Sequence, residues 1–163
     1  MLTKAIKFAD KFHSGQKRRD GISYITHPLQ TAIYVSSYCA NSKDIAILQA
    51  AAVLHDVIED TAASYFDVER EFGPQVASIV QELTNDEEEI ERIGKLEYHK
   101  KKLIHMSKYA FTIKLCDRMA NIVDSPTDKY KRETQSLLIF LQHNRDLSET
   151  QAKIIEDILT LVK

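Results

Sequence analysis

At 163 residues with 44% hydrophobic content, the chain is long enough for one compact domain that buries its own core without disulfides or a structural metal. Its formal net charge of −2 removes the general attraction that would draw a long nucleic acid or an anionic membrane to its surface. Both partner classes are therefore excluded from the reading, and any anionic ligand must be held by a local site.

Only four Gly and three Pro punctuate the chain, and apolar residues recur at three- and four-residue spacing, which predicts an all-α fold. Met1 to His13 is amphipathic, with Leu2, Ile6, Phe8, Ala9 and Phe12 on the apolar side of a first helix. It holds no apolar core of the kind found in a signal peptide or membrane span, so the reading is a soluble, cytoplasmic chain. The polar segment Ser14 to Thr26 follows as the longest loop, and Pro28 suits the first position of a second helix running to about Cys39, with His27 at its entrance.

Asn41 or Ser42 is the expected cap of a third helix through Ile45, Leu48, Ala51, Ala52 and Leu54, apolar almost all round and therefore central. Beyond Thr61 the spacing predicts a short helix ending near Gly73, another opening at Pro74, and one long charged helix from about Asp86 to Met106. Glu87 to Glu91 form a favourable acidic start to that helix, and Lys100, Lys101 and Lys102 a solvated face. Ser107 caps a helix from Tyr109 to Val123, Lys129 to about Asn144 forms the next, and Ser148 with Gln151 makes a capping box for the last. Cys39 and Cys116 belong to no metal or redox spacing and read as small hydrophobes in a reducing compartment.

Chemistry concentrates in His55-Asp56-Val57-Ile58-Glu59-Asp60, read as the end of the central helix. At ~100° per residue the four ionisable side chains cover an arc of roughly 140° and share one cleft. Three carboxylates near a helix C-terminus oppose its dipole and repel one another, so something positive should compensate them, and a divalent cation is the economical choice. The alternative is a solvated helix end. His27, before Pro28, and Asp117, in the apolar run Ile113-Lys114-Leu115-Cys116, are the best further ligands, although an Asp117–Arg118 ion pair and a capping His27 stay open. His13, His99, His105 and His143 lack carboxylates at comparable spacing and read as surface or locally bonded groups.

The order of His27-Pro28, H-D-V-I-E-D-T at 55–61 and K-L-C-D-R-M-A-N at 114–121 resembles the HD superfamily, specifically the hydrolase domain of RelA/SpoT-type alarmone enzymes. Gly15 to Leu29 is similar to that family's G-Q-x-R-x-x-G-x-x-Y-I-x-H-P-L, Phe72 to Ala77 to its F-G-x-x-V-A, Glu82-Leu83-Thr84 to its following L-T, and Arg132-Glu133-Thr134 to a late triplet. Where the family commonly has D-R-L-H-N, Ala120 stands before Asn121, and Cys116 replaces an Ala, which leaves the wall of the substrate pocket open.

The resemblance covers nearly the whole chain and implies a single HD helical-bundle domain over 1–163, a stand-alone small alarmone hydrolase. It implies that His27, His55, Asp56 and Asp117 bind one ion, typically Mn²⁺, while Glu59 and Asp60 position water and handle its proton. The implied reaction is hydrolysis of the 3′-pyrophosphate of guanosine tetra- or pentaphosphate, giving pyrophosphate and GDP or GTP. Arg18 and Arg19 are candidates to stack on the purine or bind phosphate, and Asn121 to reach the ribose. Another nucleotide (an adenine alarmone, NADPH or a nucleoside monophosphate), a non-catalytic nucleotide-sensing module and any homo-oligomeric state stay open.

Overall fold

The computed structural model describes residues 1–124 and 126–163. Among them the only β pairing is an isolated antiparallel bridge between Lys17 and Ser23, so the fold is all-α. Eleven helices are present among the described residues, and the chain divides into two compact units, Met1–Thr84 and Asn85–Lys163.

In the first unit, α3 (Ile45–Leu54) is apolar on nearly every side, and Leu48 and every residue from Ala50 to Leu54 are buried. A helix of that composition has to be covered all round. α1 (Leu2–Phe12), α2 (Thr26–Tyr38) and α6 (Pro74–Leu83) cover it, while α5 (Tyr65–Phe72) packs on α6. Phe8 of α1 meets Phe72 of α5 edge to face at 5.4 Å, and Lys4 pairs with Glu71 at 3.0 Å. α3 starts after Asp44 rather than under an Asn41 or Ser42 cap, because the Ser42 hydroxyl accepts from the Asp44 amide and extends the turn by two residues.

The central helix also ends earlier than expected. His55 closes α3, Asp56 lies in the turn that follows at φ −102° and ψ −2°, and Val57–Asp60 form a separate one-turn helix, α4. The His55 ring explains the break locally: its Nδ1 sits 2.8 Å from the Ala52 carbonyl, one of the acceptors that the end of α3 leaves open. Thr61 ends α4 by donating to the Val57 carbonyl at 2.6 Å.

The second unit contains α7 (Glu87–Ile93), α8 (Lys95–His105), α9 (Lys108–Val123), α10 (Asp128–Asn144) and α11 (Glu149–Leu161). The expected long helix is two, divided at Gly94, whose φ of +85° lies where a side chain would be strained. The acidic first turn of α7, the Ser107 cap of α9 and the Ser148/Gln151 capping box of α11 are all present. α9 packs on α11 and α8 on α10, and Arg145 fastens the end of α8 by donating to the carbonyls of Leu103, Ile104 and Met106. Lys101 is exposed as expected, whereas Lys100 lies over the Phe140 ring.

His105 and His143 are exposed, whereas His99, expected to be a surface or locally bonded group, is 5% exposed. Burial first, then the charges of Arg118, Lys114, Lys95 and Lys102, push its pKa from 6.5 down to about 3. Between those values the unfolded chain takes up a proton that the folded chain refuses, so this contribution to stability falls as pH falls through that window. His99→Gln removes the group. The loss of unfolding free energy between neutral pH and pH ~5, measured by urea titration, should be smaller in this variant than in the parent by on the order of 1–2 kcal/mol. Equal pH dependence in the two proteins would refute the assignment.

Candidate metal centre

The first unit brings four of the expected site residues together. His27, the second residue of α2, and His55, at the end of α3, are both buried, with ring centroids 5.2 Å apart at 65°. Each offers a ring nitrogen within 4.8 Å of the other's. Asp56, in the turn between α3 and α4, places Oδ2 2.9 Å from His55 Nε2 and 3.8 Å from His27 Nε2. Asp60, at the exposed end of α4, joins them through Tyr24, whose hydroxyl lies 2.6 Å from Asp56 Oδ2 and 3.2 Å from Asp60 Oδ2. Glu59, half-buried on α4, adds its charge beside Asp60.

The proton positions follow from the partners. With the Ala52 carbonyl 2.8 Å away, His55 carries its hydrogen on Nδ1, which turns the Nε2 lone pair toward Asp56. A lone pair facing a carboxylate oxygen at 2.9 Å is unfavourable unless a positive charge lies with them, either a second proton on the ring or a cation. Metal-bound histidines commonly donate their other ring N–H to a carbonyl in this way. Two imidazoles and a carboxylate in a buried corner are a mixed nitrogen and oxygen set suited to a divalent ion. The residues fit such an ion.

Partial desolvation of its carboxyl, followed by the charge of Asp56, raises the Asp60 pKa above the ordinary carboxylate value. Burial and the same Asp56 charge hold the Tyr24 phenol far above its ordinary range, so it is a hydrogen-bond donor at any working pH.

In the second unit, Asp117 is buried on α9, with Oδ2 3.0 Å from Lys114 Nζ and Oδ1 accepting from Asn121 Nδ2 at 2.8 Å. The carboxylate thus pairs with Lys114, while Arg118 donates to Thr134 Oγ1 at 2.9 Å and lies over the Tyr130 ring. Asn121 spends its amide nitrogen on the Asp117 carboxylate and carbonyl. Ala120 is fully buried.

Arg18 and Arg19 lie in the loop between α1 and α2, Arg18 partly covered and Arg19 exposed. That loop supplies a participant that sequence reasoning gave no role: Tyr24 stood within the Gly15 to Leu29 motif, but nothing in its spacing from Asp56 foretold a hydrogen bond across 32 residues. His13, expected to be superficial or locally bonded, is 2% exposed and bonds Gln16 at 2.7 Å.

The family model described as HD domain matches residues 5–146. Over 125 residues, 76% of this chain and 68% of the relative, the sequence is 36% identical to human guanosine-3′,5′-bis(diphosphate) 3′-pyrophosphohydrolase MESH1. It is also 32% identical over 126 residues to guanosine-3′,5′-bis(diphosphate) 3′-pyrophosphohydrolase of Spiroplasma citri, where the match takes in 74% of this chain but 16% of that longer protein. Among solved structures, a metazoan ortholog of SpoT described as hydrolyzing ppGpp and playing a role in starvation responses superposes with a TM-score of 0.80 at 26% identity, over 98% of this chain and 93% of that one. With a family model spanning most of its length, the chain belongs to the HD domain family.

Proposed function

We propose that the chain is a Mn²⁺-dependent 3′-pyrophosphohydrolase of guanosine tetra- and pentaphosphate, releasing pyrophosphate and GDP or GTP. The observation that carries the chemistry is the His55 ring, held by Ala52 so that Nε2 turns toward Asp56 beside His27. The observation that favours the substrate is the likeness to the human relative, which is named for this activity. The human MESH1 match, with the family model running unbroken over 5–146, supports one HD hydrolase domain over 1–163. Cys39 and Cys116, which are not joined in a disulfide, suit work in the cytoplasm, and no helix of the described residues is long and apolar enough to cross a membrane.

The ligand set is His27, His55, Asp56 and Asp117. Asp117 is assigned to it by its place in the K-L-C-D-R-M-A-N motif and by its burial as a carboxylate steadied by Lys114 and Asn121. A divalent cation held there supplies Lewis acidity, lowering the pKa of water and polarising the phosphoryl group.

The chain's own carboxylates do the proton work. Glu59 and Asp60 orient the attacking water and accept its proton, the bond from the ribose 3′ oxygen to phosphorus breaks, the water oxygen stays on the pyrophosphate, and the ribose oxygen is protonated. The raised pKa of Asp60 suits a group that both takes and returns a proton. Arg18 and Arg19 are assigned to the purine and phosphates. Asn121, its amide nitrogen committed to Asp117, keeps its oxygen for a ribose hydroxyl.

The deciding assay is product analysis with added Mn²⁺ on guanosine tetraphosphate, its adenine counterpart, NADPH and nucleoside monophosphates. Pyrophosphate and GDP from the first is the expected result; turnover confined to another member would move the substrate assignment there. Chelation should abolish turnover and Mn²⁺ restore it, and full activity in excess chelator would sink the metal mechanism. His55→Ala and Asp117→Ala should each lose bound metal, whereas unchanged metal content would strike either residue from the ligand set. Glu59→Gln with Asp60→Asn should keep metal and nucleotide while losing on the order of 10²–10⁴-fold in rate. A double variant as fast as the parent would take the proton work away from this pair.

A further inference from the structure

The loop between α1 and α2 is built to bring one hydroxyl to the metal centre. His13 closes α1 by donating its amide to Ala9, the Gln16 amide returns to the His13 carbonyl, and the Lys17–Ser23 bridge folds the intervening residues back. The Tyr24 amide then reaches the Gln16 carbonyl at 3.0 Å, so Tyr24 stands beside Gln16 although eight residues separate them.

The Gln16 side chain ties this loop to α4. Its Nε2 donates to the Asp60 carbonyl at 2.8 Å, which leaves Oε1 to accept from His13 Nδ1 at 2.7 Å. The buried His13 ring supports the Tyr24 ring at 4.7 Å and 36°, and His27 meets that ring edge-on at 6.0 Å and 61°. Two aromatic contacts and two backbone bonds, the second from the His27 amide to the Tyr24 carbonyl, fix the phenol, so its hydroxyl has little freedom to turn elsewhere.

That hydroxyl carries a single proton between two carboxylates. At 2.6 Å against 3.2 Å the hydroxyl donates mainly to Asp56, in the range of a charge-assisted bond, with Asp60 Oδ2 as the more distant second acceptor. The oxygen that accepts it, Asp56 Oδ2, is the same one that faces His55 and His27. The Tyr24 hydroxyl approaches this carboxylate from the loop between α1 and α2, whereas His55 and His27 approach it from α3 and α2.

We propose that Tyr24 is a positioning residue, whose hydroxyl sets the direction of the Asp56 carboxylate as a metal ligand and keeps the Asp60 carboxylate in register with it. This rests on the metal-hydrolase reading above. Partners of this outer kind are typically worth about 10–100-fold in metal affinity or activity.

Tyr24→Phe keeps the ring and both aromatic contacts and deletes only the hydroxyl. Mn²⁺ affinity, followed by the electron paramagnetic resonance signal of free ion in the absence of substrate, should weaken by on the order of 10–100-fold while the melting temperature moves by only a few degrees. At saturating Mn²⁺ and with guanosine tetraphosphate, kcat should fall by about tenfold and KM stay within about twofold, as for a group that acts through Asp60 rather than by touching the nucleotide. Unchanged Mn²⁺ affinity with unchanged kcat overturns the proposal, and so does a variant that no longer folds, since the hydroxyl would then be a structural tether. Because the metal titration uses no nucleotide, a parent that binds Mn²⁺ without cleaving guanosine tetraphosphate removes the substrate reading alone and leaves Tyr24 to be judged on affinity. A parent that binds no Mn²⁺ overturns both.

Discussion

Asp56 Oδ2 is the atom on which the site turns. A tyrosine hydroxyl and two imidazole nitrogens converge on it in a corner where both histidines are buried. The hydroxyl supplies one proton, and with Nδ1 of His55 committed to the Ala52 carbonyl, Nε2 beside the carboxylate calls for positive charge, as a second ring proton or a cation. Mixed nitrogen and oxygen donors, the neighbouring carboxylates of Glu59 and Asp60 and the Tyr24 loop are gathered around that one requirement.

The scaffold answers it with rigidity. α3 is apolar on almost every side and its C-terminal half is buried against the core formed with α1, α2 and α6, so His55 at its end starts from a backbone that cannot tilt without disturbing that core. Asp56 follows in the turn after His55 and places its Oδ2 beside His55 Nε2. The short α4, ended by Thr61, carries Glu59 and Asp60 back to the same edge.

Much of this was legible in the residues. Amphipathic spacing located α1, α5 and α6, and side-chain caps at Ser107 and Ser148 located the starts of α9 and α11, because those signals are local and each is decided within one turn. The cluster at 55–60 was visible as uncompensated charge. Its backbone was not: helical spacing and the actual break both put His55, Asp56 and Asp60 on one side, so the pattern could not tell them apart. Gly94 was passed over because one glycine is tolerated within a helix, and only its positive φ makes it a boundary. His99 and Tyr24 lay beyond reach for another reason. The burial of one and the hydrogen bond of the other depend on residues far away in sequence, and no local spacing encodes either.

The most direct test of the account is the number of histidines that hold the ion. With histidine labelled by ¹⁵N and one equivalent of Mn²⁺, pulsed electron paramagnetic resonance should show hyperfine coupling to two imidazole nitrogens, and to one in His27→Ala or His55→Ala. An ion bound with no histidine coupling, or with coupling unaffected by both substitutions, would contradict the assignment of this corner as the metal centre.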